Sequence, residues 1–191
     1  MRGLGRNVAV LFWLVAVLWA LEIVDLIVFR GGLDGLGIRP RDLDRWWGIL
    51  AAPLLHGGLT HLIANTLPLV VLGWFVLLRG LNTFASVSGL AVVLGGLGVW
   101  LFADPRTIHI GASGLIFGYL GYLLLRGYFE RSVSAIIVSV IVAVLYGGAL
   151  WGVLPGRTGV SWEGHLFGFL SGAASARVLI PSRRTEGSLR R

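Results

Sequence analysis

The sequence contains no cysteine and no lysine, and only 13% of its residues are charged. Without cysteine there is no disulfide, no thiolate nucleophile and no zinc–thiolate centre. Without lysine, all 16 basic side chains are arginines. A soluble domain carries about 25% charged residues, so this chain is poor in the groups that face water. In their place 56% of its 191 residues are hydrophobic, arranged in runs long enough for a bilayer, which takes about 20 residues per helix. The sequence therefore describes an integral membrane protein of all-α class. The net charge of +7 would suit nucleic acid, but its distribution follows membrane topology, so the lipid bilayer is the expected partner and nucleic acid is not.

Six spans are expected: Val8–Phe29, Gly58–Leu78, Thr83–Ala103, Ser113–Arg126, Ser132–Val153 and Trp162–Ile180. They leave a short N-terminal tail at 1–7, a membrane domain at 8–181 and a basic tail at 182–191. The first run is too long for a signal peptide, and no small-x-small cleavage site follows it. Glu22 and Asp25 fall near its far end, where an interfacial position is expected, because acids are costly at membrane depth. The fourth span is short. At 1.5 Å per residue it reaches only about 21 Å, which places its start below the membrane surface. Gly127–Arg131 reads as a polar turn after it.

The longest non-spanning segment, 30–57, mixes charged residues with Trp46-Trp47-Gly48 and a short apolar stretch ended by Pro53. Tryptophan favours the membrane–water interface, so this loop is expected to lie partly within one leaflet. Six spans put both termini on one side. That side holds ten of the arginines, the other six. The positive-inside rule then places both termini in the cytoplasm, and a prokaryotic plasma membrane is the expected location.

Several polar residues stand where lipid would reject them. His61 and Asn65, four apart, share one face at the start of the second span. Ser113 opens the fourth, and His165 lies one turn into the sixth. These three spans run in the same direction, so their polar groups meet at one depth. Gly111, Gly114, Gly118 and Gly121 recur along the fourth span, and Gly164, Gly168 and Gly172 along the sixth. Small faces of this kind let membrane helices approach closely. Ser113 and His165 are then expected to reach the roughly 2.6–3.2 Å at which an imidazole activates a hydroxyl. His61, Asn65 and backbone N–H groups at the start of the fourth span suit the stabilisation of an oxyanion. Glu163 lies on another face from His165, so a dyad is expected rather than a triad.

These residues resemble the rhomboid intramembrane serine proteases. The resemblance rests on His56, on His61-x-x-x-Asn65, on Gly111-x-Ser113-Gly114 and on His165-x-x-Gly168-x-x-x-Gly172. The six-span layout and the long interfacial loop with Trp47 extend it over nearly the whole chain. It implies a six-helix rhomboid-like bundle with Ser113 as nucleophile and His165 as base. It implies that His61, Asn65 and the Ser113 N–H hold the oxyanion, with Gly111, Gly114, Phe117, His56 and Gly168 in support. The implied substrates are single-span membrane proteins, cut in or near the outer part of their transmembrane segments, with small residues beside the cut. No cofactor and no metal is implied, and the oligomeric state is left open. Two positions depart from the family pattern: Phe117 stands where tyrosine is common, and Gly48 where arginine often follows the loop tryptophan.

Other readings stay in view. Ser113 by itself is a common helix-packing residue. His56 is expected to bond loop backbone, and His109 to be a solvated loop histidine. A catalytically inactive relative that binds transmembrane helices would usually lack the serine or the histidine. A His56–His61–His165 zinc site lacks His-Glu-x-x-His spacing, and a transporter would be expected to show internal repeats.

Overall fold

In the computed structural model, residues 2–156 and 159–180 are described. The C-terminal basic tail expected at 182–191 lies outside them. Helix α1 (Arg2–Val24) runs on through a π-helical turn, Asp25–Phe29, so the expected N-terminal tail is already helical. The first loop holds short 3₁₀ turns and a single helical turn, α2 (Gly48–Ala51). It leads to α3 (Leu59–Leu77). Next come α4 (Leu81–Leu90), a π-helical stretch (Ala91–Gly95) and α5 (Gly96–Phe102), end to end. The last three helices are α6 (Ser113–Glu130), α7 (Val133–Tyr146) and α8 (Trp162–Leu179). Seven residues of 3₁₀ helix, Gly147–Val153, follow α7. Among the described residues extended pairing is confined to one bridge between Ile38 and His109.

Four stretches have the length and hydropathy to cross a bilayer: Gly3–Phe29, Leu59–Leu77, Leu81–Phe102 and Val133–Val153. The protein is a multi-pass membrane protein. Helices α6 and α8, 18 residues each, are not among the four. Both are rich in glycine and carry charges, because protein rather than lipid covers much of their surface. Nine consecutive residues of α6, Leu115–Leu123, are buried. An apolar helix covered on all sides belongs to an interior. By contrast α7 buries only Ala135 and Val142 and leaves Ile137, Val140 and Val144 exposed, as lipid contact requires.

The inner pair is joined backbone to backbone. A methyl group on Gly168 would overlap the Gly114 carbonyl, and one on Gly172 the Gly118 carbonyl. One on Gly121 would strike the Phe169 carbonyl, and one on Gly118 would sit 2.6 Å from the Ala91 Cβ. Every one of these positions has to be glycine for α6, α8 and the π-helical stretch to lie this close. Around them Leu62, Leu69, Leu72, Tyr119 and Leu123 fill the core between α3 and α6.

One expectation is corrected. Helix α6 continues to Glu130 instead of ending at Arg126 in a polar turn. Arg126 and Glu130 are one turn apart and paired at 2.7 Å, and the Ser132 hydroxyl also donates to Glu130. The helix is therefore about 27 Å long at 1.5 Å per residue. Glu22 and Asp25, expected at an interface, are buried within the protein. The first loop folds over them, and the Leu33 N–H donates to Asp25 Oδ1 at 2.9 Å.

Candidate active site

Helices α3, α6 and α8 begin at the same end of the molecule. Their first turns line one open cavity of about 700 Å³ with His61, Asn65, Ser113 and His165 on its wall. Ser113 is the first residue of α6, after Ala112, and no side chain caps that end. The N–H groups of a helix's first turn have no partner within the helix and carry partial positive charge. Gly111, with φ of +111°, turns the chain into α6. A methyl group on Gly111 would lie 2.7 Å from the His61 ring, a second reason for glycine there.

The hydrogen bonds fix which nitrogens carry protons. His165 Nδ1 lies 3.0 Å from the Gly152 carbonyl. A carbonyl only accepts, so Nδ1 holds the proton, and Nε2 of the neutral ring is left as a free base. The Phe117 ring stacks on the imidazole, centroid to centroid at 4.1 Å and within 7° of parallel. In His61, Nδ1 accepts from the Gly57 N–H at 3.4 Å. The neutral His61 ring therefore carries its hydrogen on Nε2, the atom beside Gly111. Asn65 is 7% exposed, and its Nδ2 has no hydrogen-bond partner among the described residues. A buried amide donor without a partner costs about 1–3 kcal/mol; here it lies beside Gly111, in the cavity that Ser113 also lines. Among the described residues no hydrogen bond joins Ser113 to His165, whose ring is held in place by Gly152 and Phe117. Geometry of this kind commonly tightens only when substrate is bound.

Residues 43–182 match the rhomboid domain. This chain belongs to the rhomboid family. It is 43% identical to the uncharacterized protein Rv1337 of Mycobacterium tuberculosis, across 93% of this chain and 77% of that one. It is 26% identical to the putative rhomboid protease YdcA of Bacillus subtilis, across 83% and 81%. With rhomboid protease GluP of the same organism it shares 32% identity, across 70% of this chain and 26% of that protein.

The two departures from the rhomboid pattern have structural answers. Phe117 stacks on His165 without needing a hydroxyl. Gly48 is required because a methyl group there would overlap the Gly37 carbonyl, so the loop backbone packs against itself. Anchoring of the rhomboid's first loop comes instead from Arg41, which donates to the Leu101 and Ala103 carbonyls at 2.7 and 2.8 Å. The Trp100 indole N–H donates back to the Asp42 carbonyl.

His56 is 1% exposed and accepts the Ala112 N–H through Nε2 at 3.3 Å. It thereby binds the residue before Ser113. Burial, with His61 beside it, lowers the His56 pKa from 6.5 to about 4. The folded state prefers the neutral ring. This contribution is complete above pH 6.5 and is lost as pH falls towards 4. Between pH 7 and 4.5 it amounts to about 2–3 kcal/mol. Unfolding followed at both pH values for wild type and His56→Gln should show a smaller acid loss in the variant. Equal losses would remove His56 as the cause.

His109 is not a solvated loop residue. It is 7% exposed, and its backbone N–H and carbonyl pair with Ile38 at 3.0 Å each. Nδ1 lies 2.6 Å from the Ser161 hydroxyl and Nε2 2.7 Å from that of Thr107. Burial lowers its pKa, against the opposing charge of Glu163. Sequence reasoning missed this residue, as it missed the Gly152 carbonyl. Ser161, four residues before His165, was the available signal for the first; a main-chain carbonyl leaves no signal of its own.

Proposed function

We propose that this protein is an intramembrane serine endopeptidase working through Ser113 and His165. The observation that carries the reading is the meeting of four polar groups from three helices in one cavity, with the His61 and His165 tautomers and the Asn65 amide donor suited to their parts. In this reading the Ser113 Oγ attacks the carbonyl carbon of a peptide bond, and His165 Nε2 takes the hydroxyl proton. The carbonyl oxygen becomes an oxyanion, held by the Asn65 amide, the His61 Nε2–H and the Ser113 N–H. His165 returns the proton to the leaving amine as the C–N bond breaks. Water from the open cavity then hydrolyses the ester, with His165 again serving as base.

The surrounding membrane arrangement belongs to the same proposal. Helices α6 and α8 complete a six-span bundle inside the four apolar spans, with both termini cytoplasmic and the cavity near the outer face. The substrates are single-span membrane proteins whose helices unwind locally to reach Ser113. The naming of related proteins as rhomboid proteases supports this reading.

One observation favours a second pairing. The Ser161 hydroxyl is hydrogen-bonded to His109 at 2.6 Å, whereas among the described residues no histidine is hydrogen-bonded to Ser113. Ser161, however, is the N-cap of α8 and accepts the Gly164 N–H at 3.1 Å. Labelling with a fluorophosphonate separates the two. Purified protein should be labelled once, on Ser113, as mapped by mass spectrometry. Label that survives Ser113→Ala and vanishes in Ser161→Ala would transfer the nucleophile to Ser161.

A further inference from the structure

The ring of His109 occupies the middle of a one-way chain of hydrogen bonds. The Thr107 hydroxyl donates to the Asp104 carbonyl at 2.6 Å, so towards His109 it acts as an acceptor. His109 Nε2 must then carry the ring proton and donate it to Thr107. That leaves Nδ1 of the neutral ring as an acceptor, and the Ser161 hydroxyl is its donor. The same Ser161 oxygen accepts the Gly164 N–H and so caps α8. The direction of every link is determined, and each polar atom in it is satisfied.

The place of this chain matters as much as its direction. His109 is four residues before Ser113, and Ser161 is four residues before His165. The Ser161 carbonyl also accepts the His165 N–H at 3.1 Å, which fixes where the first turn of α8 starts. The route from Ser113 to His165 through this contact is therefore two short pieces of chain joined by one hydrogen bond. Two backbone bonds to Ile38 add the first loop to the same junction. Neither ring nitrogen of His109 is free to touch a substrate.

We propose that His109 is a positioning residue, which through Ser161 sets the placement of His165 relative to Ser113. The proposal rests on the reading of Ser113 and His165 as nucleophile and base. Its effect is on the geometry of proton transfer, and a misplacement of about 1 Å in such a pair costs on the order of 100-fold in rate. His109 and Ser161 also line the cavity, but both ring nitrogens of His109 are engaged within the chain of hydrogen bonds, so its substitution acts on proton transfer more than on substrate binding.

The test uses the full-length protein in liposomes with a single-span model substrate, together with fluorophosphonate labelling followed in time. His109→Ala should lower kcat by about 10- to 100-fold and leave KM within about threefold. The rate of labelling should fall by the same factor while its final extent stays at one label per chain. His109→Asn should recover most of the loss, because its Oδ1 replaces Nδ1 as acceptor of the Ser161 hydroxyl. Ser161→Ala should resemble His109→Ala, and the double variant should be no slower than the slower single one. The proposal is overturned if His109→Ala labels at the wild-type rate, if Asn does not rescue, or if the two losses multiply. It is also overturned if the deficit lies only in the final extent of labelling, which marks a misfolded fraction. Absence of label on Ser113 in the wild type would instead overturn the dyad reading beneath it.

Discussion

Ser113→Ala and His165→Ala are each expected to lower single-turnover cleavage by about 10⁴-fold or more, and the double variant no further. The reason is chemical coupling. With no base at His165 Nε2, the Ser113 hydroxyl keeps its proton and is a poor nucleophile. With no hydroxyl at 113, the base has nothing to activate. What survives in all three variants is the contribution of the helix start, the Asn65 amide and the His61 N–H to polarising a carbonyl. Asn65 Nδ2 has no hydrogen-bond partner among the described residues, and neither substitution removes that donor. The measurement is the rate of product formation with enzyme in excess over substrate. Losses that multiply in the double variant would mean that the two residues act in separate steps.

Gly172→Val is expected to remove at least about 100-fold of turnover from a position that touches no substrate. A Cβ at 172 falls on the Gly118 carbonyl and within 2.9 Å of the Tyr122 nitrogen. Carbon and carbonyl oxygen ordinarily approach only to about 3.3–3.6 Å. The two helix backbones would have to separate by about 1 Å or more, carrying His165 away from Ser113. The overpacking itself costs about 1–3 kcal/mol, so thermal stability should fall as well. Gly89 in α4 is the control, since a Cβ there meets nothing within 4 Å. Gly89→Val should keep turnover within about twofold, because the propensity difference is small and favours valine over glycine. Equal behaviour of the two variants would show that the α6–α8 approach is not what holds the cavity together.

Much of this organisation can be read from residue positions alone. His61, Asn65, Ser113 and His165 converge because each lies at the start of a helix and those helices run the same way. Glycine spacing along α6 and α8 marks the faces that touch. Other features depend on contacts between distant segments. Glu22 and Asp25 become buried only because residues near Leu33 fold back over them. Helix α6 outlasts its apolar run because Arg126 finds Glu130, and Arg79 from the end of α3 adds a second contact at 3.5 Å. His109 looks solvated until Ile38 and Ser161 arrive from two distant parts of the chain. No local pattern encodes those meetings.

The bond from His165 Nδ1 to the Gly152 carbonyl has a consequence for how this base can be altered. Serine hydrolases with a triad use a carboxylate at this place, which can be mutated away and which itself titrates in acid. A peptide carbonyl does neither. No amino-acid replacement deletes it, and at Gly152 an added Cβ would lie 3.0 Å from His165 Nδ1, so a side-chain scan there reports crowding of the ring rather than loss of its acceptor. Replacing the amide that follows Gly152 with an ester, which makes that carbonyl a poorer acceptor, is the substitution that reaches it. Because the carbonyl takes up no proton at any working pH, the orientation of the ring is indifferent to acidity, and only the ring's own charge is left to respond.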